Sequence, residues 1–243
     1  MIIDTHAHLE MCENTKEVIK NAKDILIVAS GVGFESNKLA LELSKKFSNV
    51  KTSFGMYPTD AIKLSKNDLE NEFKFIEYNK DKIVAIGEVG VDLKESEDLE
   101  KQKEIFIRII QLAKKIDKPL IVHSRKAEKE VVEILEEESC KRVVMHCFSG
   151  NFKLVKKIVE NGWFLSIPTS VKRSEHFQKV VKEVPIENLF CETDSPYLHP
   201  DGERNNEPRN VIESYKMIAK IKNLGLKEVE KKIESNFKKL FCV

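Results

Sequence analysis

The chain has 243 residues, 41 basic against 40 acidic side chains and a formal net charge of +1, so no global field draws it to nucleic acid or a membrane, and any anionic partner must be held by local charge. A chain of this length buries a substantial core, and one α/β barrel fills about 250 residues. Cys12, Cys140, Cys147, Cys191 and Cys242 form no Cys-x-x-Cys pair, no run approaches a bilayer span of roughly 20 apolar residues, and Asp4, His6 and His8 fall where a signal peptide would be apolar. Reduced thiols and a cytoplasmic location are the expectation.

Residues 2–8 read as the first strand, rich in Ile2, Ile3 and the β-branched Thr5. In a strand, His6 and His8 share one face; on a helix they would point to nearly opposite sides. Taken alone, the pair is equally consistent with two unrelated surface histidines. Further short apolar runs at 25–30, 50–56, 84–89, 120–124, 142–148, 163–167 and 189–194 complete a set of eight strands. Between them, 15–22, 36–47, 66–79, 98–117, 127–138, 152–161, 174–183 and 208–222 repeat apolar residues at helical spacing, as in Ile105, Ile109, Leu112 and Ile116.

Eight strand-helix units of roughly 30 residues favour a closed α/β (β/α)8 TIM barrel over an open doubly wound sheet. No Gly-x-Gly-x-x-Gly follows the first strand, which removes the main argument for a dinucleotide fold. Residues 227–241 read as an extra C-terminal helix outside the barrel, and without a linker-like stretch the whole of 1–243 is expected to form one domain. The irregular segment 195–207, after the eighth strand, is long enough to point to function.

In a barrel the carboxyl ends of all strands open on one mouth. His6 and His8 end the first strand, Glu88 the fourth, His123 and Arg125 the fifth, His146 the sixth, and Glu192 and Asp194 the eighth. Mixed imidazole and carboxylate donors suit Zn²⁺, Mn²⁺ and similar divalent ions. Six donors, His6, His8, Glu88, His123, His146 and Asp194, exceed what one tetrahedral ion needs, so two ions are expected, with Glu88 between them. Such a pair would share and acidify a water and leave a net positive centre for a phosphodiester. Strand parity puts Asp4 and Glu192 one pleat below, either as acceptors for ligating imidazoles or as buried ion-pair partners. Arg125 shares the parity of His123 and would meet a phosphate at the mouth, or else close the rim as a charge.

These same residues carry a family resemblance. Asp4-Thr5-His6-Ala7-His8-Leu9, Gly87-Glu88-Val89-Gly90-Val91-Asp92, Val122-His123-Ser124-Arg125, His146-Cys147-Phe148-Ser149-Gly150, Glu192-Thr193-Asp194-Ser195-Pro196-Tyr197-Leu198, Asn206-Glu207-Pro208 and Asn236-Phe237-Lys238-Lys239-Leu240-Phe241 resemble, in order, the motifs of the TatD family of metal-dependent deoxyribonucleases, in the amidohydrolase superfamily. The resemblance implies two divalent ions (Zn, Mg or Mn) on the six donors and a DNA substrate, cut by 3′-to-5′ exonuclease action. Asp194, Glu88 and Arg125 are the catalytic candidates, and Asp4, Glu192, Tyr57, Ser149 and Glu207 are candidates for supporting or substrate contacts. Where the family often has His-Pro after the third strand, this chain has Tyr57-Pro58, and Leu93-Lys94-Glu95 replaces an aromatic-basic stretch. Tyr57 can donate a hydrogen bond but cannot bind a metal as His does.

The leading expectation is a monomeric two-metal hydrolase of phosphodiester bonds in DNA, with no organic cofactor and no membrane partner. A bridging hydroxide would attack phosphorus while Asp194 takes its proton. Hydrolysis of a carboxylic ester or amide, such as an aminoacyl ester, is the alternative, and a non-catalytic metal-containing barrel that binds nucleic acid is the third reading.

Overall fold

The computed structural model describes residues 1–242. Its eight strands are β1 (Ile2–Ala7), β2 (Ile25–Ser30), β3 (Val50–Phe54), β4 (Ala85–Gly90), β5 (Leu120–His123), β6 (Val143–Met145), β7 (Phe164–Pro168) and β8 (Leu189–Glu192). They are parallel and lie in sequence order around the sheet. The sheet nearly closes on itself, giving the (β/α)8 TIM barrel. Past the end of β8, Asp194 N donates to His6 O at 3.0 Å and His8 N donates to Ser195 O at 2.8 Å. At the opposite end, the Tyr215 hydroxyl bridges Ile3, accepting from its N–H at 2.9 Å and donating to its carbonyl at 3.1 Å.

The strands are near-continuous apolar runs because both faces are covered. The helices are α1 (Thr15–Asn21), α2 (Phe34–Lys46), α3 (Pro58–Ala61), α4 (Lys66–Tyr78), α5 (Leu99–Lys115), α6 (Glu128–Glu137), α7 (Phe152–Glu160), α8 (Glu175–Glu183), α9 (Ile212–Lys222) and α10 (Leu226–Phe241). The short α3 is absent from the periodicity, being too brief to show one; Pro58 starts it with φ already set for a helix. Side chains cap several helix starts: Ser65 accepts from Asp68 N, Asp98 from Lys101 N, and Asn151 from Lys153 N and Leu154 N. The last helix, α10, packs outside the barrel against β8, with Phe237 and Phe241 stacked at 4.4 Å and Phe241 5.8 Å from Phe190. The Asn236 amide ties it down by donating to the carbonyls of Ile186 and Leu189. Among the described residues, no helix is long and apolar enough to cross a membrane.

Two strands depart from regular pairing where the chemistry gathers. The register of β1 against β2 shifts between Asp4 and Ala7, and that of β4 against β5 shifts between Ile86 and Val89. Such bulges re-aim side chains and break the strict two-residue alternation. The sixth strand is shorter than its apolar run, ending at Met145, so His146 leaves it on irregular backbone. Gly90 has φ +145°, and a Cβ there would collide with the His123 carbonyl, so glycine lets β4 and β5 approach where Glu88 and His123 meet.

Candidate metal centre at the barrel mouth

His6 and His8 bring their Nε2 atoms to 3.2 Å of each other. Glu88 Oε2 lies 3.4 Å from His6 Nε2 and 3.2 Å from His8 Nε2, and Asp194 Oδ1 lies 3.5 Å and 3.4 Å from the same two atoms. His146 turns its Nε2 toward Glu88 Oε1 at 3.7 Å and stacks on His6 with centroids 4.0 Å apart. His123 enters differently: its Nδ1, not its Nε2, faces Glu88, 2.6 Å from Oε1. The donor atoms form two overlapping groups, His6 with Glu88 and His146, and His6 with His8 and Asp194, each within 4.8 Å. His123 belongs to neither group and joins the centre through Glu88.

The donor set fits a divalent cation. Glu88 and Asp194 are enclosed by the mouth, and among the described residues only imidazole nitrogens lie within ion-pair distance of either carboxylate. A lysine or arginine would settle that negative charge permanently; imidazoles leave it to a proton or a metal. Burial disfavours the His6 imidazolium, but Asp194 and Glu88 outweigh it and raise the ring to about 9. Burial acts the same way on His123, and Glu88 with Asp92 raise it to about 9. His8 is lifted well above its ordinary value against its burial, first by Asp194. Glu88 is held well below the carboxylate range in spite of burial, chiefly by His123, and Asp194 below it by His6 and His8. The site therefore favours cations, and a metal would displace protons from the rings.

The outer nitrogens of three imidazoles have acceptors that fix their tautomers. His8 Nδ1 donates to the Ser30 carbonyl at 3.1 Å, His146 Nδ1 donates to Glu192 Oε2 at 3.0 Å, and His123 Nε2 donates to Asp92 Oδ2 at 3.0 Å. Glu192 also accepts from Cys147 N at 2.9 Å and from the Ser166 hydroxyl at 2.5 Å. His6 Nδ1 is buried without a partner.

Asp4 stands elsewhere than its parity predicts. It accepts from Thr193 N at 2.9 Å, from the Thr193 hydroxyl at 2.6 Å and from His6 N at 3.3 Å, and among the described residues it hydrogen-bonds to no imidazole. The β1 bulge breaks the alternation that would have set it beneath His6, and Asp4 instead joins β1 to the residue following β8. Burial pushes its carboxyl up to about 7, against the Thr193 hydrogen bonds.

Arg125 is exposed at the rim, its Nη1 3.3 Å from Glu95 Oε1. Ser149 is exposed and donates to Glu128 Oε1 at 2.9 Å. Glu207 lies 3.0 Å from Arg209 Nε and lines a polar cleft with Glu13, Glu17 and Asn206. Tyr57 is half-buried, with its ring 5.2 Å from that of His123, and its hydroxyl donates to Asp92 Oδ2 at 2.7 Å. Burial and Asp92 both push that hydroxyl far above its ordinary range, so it stays protonated.

Two residues of the site escaped the sequence reading. Asp92 holds both His123 and Tyr57; its place at the end of the Gly87-to-Asp92 run was the available signal. Glu10 is mostly buried, with both carboxylate oxygens unpartnered and Oε1 3.6 Å from His8 Nδ1. Nothing in the local pattern marks Glu10.

A family model described as TatD related DNase matches residues 3–242. An uncharacterized metal-dependent hydrolase of Methanocaldococcus jannaschii is 38% identical over 244 residues, covering 98% of this chain and 96% of the relative. Human deoxyribonuclease TATDN3 is 33% identical over 258 residues, covering 99% and 94%. The crystal structure of YJJV, a TatD homolog from Escherichia coli, superposes with a TM-score of 0.92 at 24% identity, covering 100% and 98%, and so shares the fold. With the family model spanning nearly every residue and these relatives aligned end to end, the chain belongs to the TatD related DNase family.

Proposed function

We propose that this protein is a divalent-metal-dependent hydrolase that cleaves phosphodiester bonds in DNA, acting from the 3′ end. The observation that carries the reading is the enclosed meeting of Glu88 and Asp194, whose only ion-pair partners among the described residues are imidazoles. Family membership supports DNA as the substrate class, and the 3′-to-5′ direction rests on the motif resemblance alone.

His6, His8, Glu88, His123, His146 and Asp194 would hold two ions, with Glu88 turning Oε2 toward His6 and His8 and Oε1 toward His123 and His146. Bound divalent ions supply Lewis acidity toward phosphoryl oxygens and lower the pKa of water. The chain's own groups do the rest. Asp194 is ionised and more exposed than His6 or Glu88, and it orients the attacking water and accepts its proton. Glu192 and Asp92 accept from the outer nitrogens of His146 and His123, so that a bound ion would meet a lone pair on the inner nitrogen of each ring. Arg125, exposed beside Glu95, meets the backbone phosphate as the strand approaches.

The test is an end-labelled single-stranded oligonucleotide and an aminoacyl ester, each incubated with metal-loaded protein and with chelated protein. The proposal expects metal-dependent loss of nucleotides from the 3′ end. Ester hydrolysis with intact DNA would move the assignment to a carboxylic-ester hydrolase.

A further inference from the structure

Beside the metal centre stands an aromatic side chain that the roles above leave unused. Tyr197 is 55% exposed, with its ring 6.4 Å from that of His8 at an interplanar angle of 71°. Among the described residues its hydroxyl reaches only the Met11 sulfur, at 3.5 Å, and Met11 is itself 43% exposed. Both residues lie at the mouth, Tyr197 three residues after Asp194 and Met11 three after His8. The other exposed tyrosine, Tyr78, ends α4, with Lys82 Nζ 5.5 Å from its ring centroid.

The ring is open while the backbone beneath it is held firmly. Tyr197 N donates to the Asp194 carbonyl at 2.8 Å, and Asn206 N donates to the Pro196 carbonyl at 2.9 Å. The Asn206 amide donates to the Thr193 carbonyl at 2.9 Å, and the Thr169 hydroxyl donates to the Leu198 carbonyl at 2.6 Å. Tyr197 thus keeps a set position relative to Asp194. More than half of this side chain is open to solvent at the rim of the centre.

We infer that Tyr197, with Met11 beside it, is a stacking shelf for a nucleobase of the strand whose phosphate lies at the metal centre. The inference rests on the nuclease reading and names the substrate group this site recognises. An aromatic face accepts any base without reading its sequence. With the Tyr197 ring 6.4 Å from that of His8, a base on the shelf and a phosphate at the centre can belong to one strand. The flexible Met11 thioether adapts to bases of different size.

The test compares kcat/KM of metal-loaded protein on a short single-stranded oligothymidylate and on an abasic deoxyribose-phosphate chain of equal length. In Tyr197→Ala, the preference for the base-bearing chain should fall about 5- to 150-fold, carried mainly by KM. Tyr197→Phe and Tyr197→Trp should retain it, and Tyr197→Leu, which keeps apolar bulk without a π-face, should behave as Ala does even if the Ala variant folds poorly. An unchanged preference in both Ala and Leu variants overturns the shelf while leaving the nuclease reading intact. A wild-type protein that cuts neither chain overturns the nuclease reading and the shelf together.

Discussion

Asp92 Oδ2 accepts a hydrogen bond from His123 Nε2 at 3.0 Å, and the same ring presents Nδ1 to Glu88 at 2.6 Å. The outer nitrogen donates to Asp92, and the inner one faces Glu88, holding a proton that a metal would displace. Asp92 also receives the Tyr57 hydroxyl at 2.7 Å and, through Oδ1, the backbone N–H groups of Lys94 and Glu95 at 2.8 Å and 3.0 Å. One carboxylate therefore orients an imidazole and anchors the loop after β4.

From this arrangement Asp92→Ala should weaken metal affinity about 10- to 100-fold, the usual consequence of removing a carboxylate behind a ligating histidine. Asp92→Asn, still able to accept at one oxygen, should fall between the two. Competition with a chelating dye measures the effect, and an unchanged affinity in Asp92→Ala would remove the role.

Asp194 has φ +56°, a conformation that both Asp and Asn tolerate, so Asp194→Asn replaces a proton acceptor with little backbone cost. Turnover should drop about 10²- to 10⁴-fold while the fold is kept. Single-turnover rates with saturating metal would show it; wild-type turnover would exclude Asp194 as the base.

Much of the fold is legible in the chain because a closed parallel barrel writes each strand as an apolar run and each crossover as an amphipathic one. The run at 25–30 coincides with β2, and the extra C-terminal helix forms at Leu226–Phe241. What pattern reading misses lies where regular geometry stops. His146 is off the end of β6, and Cys147 adopts φ +42°, a turn that lets its N–H reach Glu192. Asp4 turns to Thr193 because β1 is bulged, and the pairing of Asp92 with His123 spans 31 residues that share no local periodicity. The donor residues are readable one by one at strand ends, but the opposite ring face that His123 presents comes only from three dimensions.

Arg125 and Glu95 are both exposed, so an incoming phosphate competes with a weak ion pair. Glu95→Ala should free the guanidinium and lower KM for DNA about 1.4- to 5-fold, since exposed pairs contribute about 0.2–1 kcal/mol. The gain should shrink with added salt. A KM that rises, or a gain that ignores salt, would speak against Arg125 as a phosphate contact.

The α10 helix is held by aromatic packing, with Phe237 buried between Phe241 and Phe190. Phe237→Ala should cost about 3–5 kcal/mol of stability through lost burial and a residual cavity. Denaturant unfolding reports it, and a loss below about 1 kcal/mol would mean that the helix is not anchored there.

The central claim, that the strand-end histidines and carboxylates form a metal centre that hydrolyses DNA, is tested most directly by elemental analysis coupled to activity. Protein stripped by a chelator should cut no single-stranded DNA, and reloading should restore cleavage in step with uptake, saturating at two divalent ions per chain. Cleavage that persists in the stripped protein, or full reloading that restores none, would contradict it.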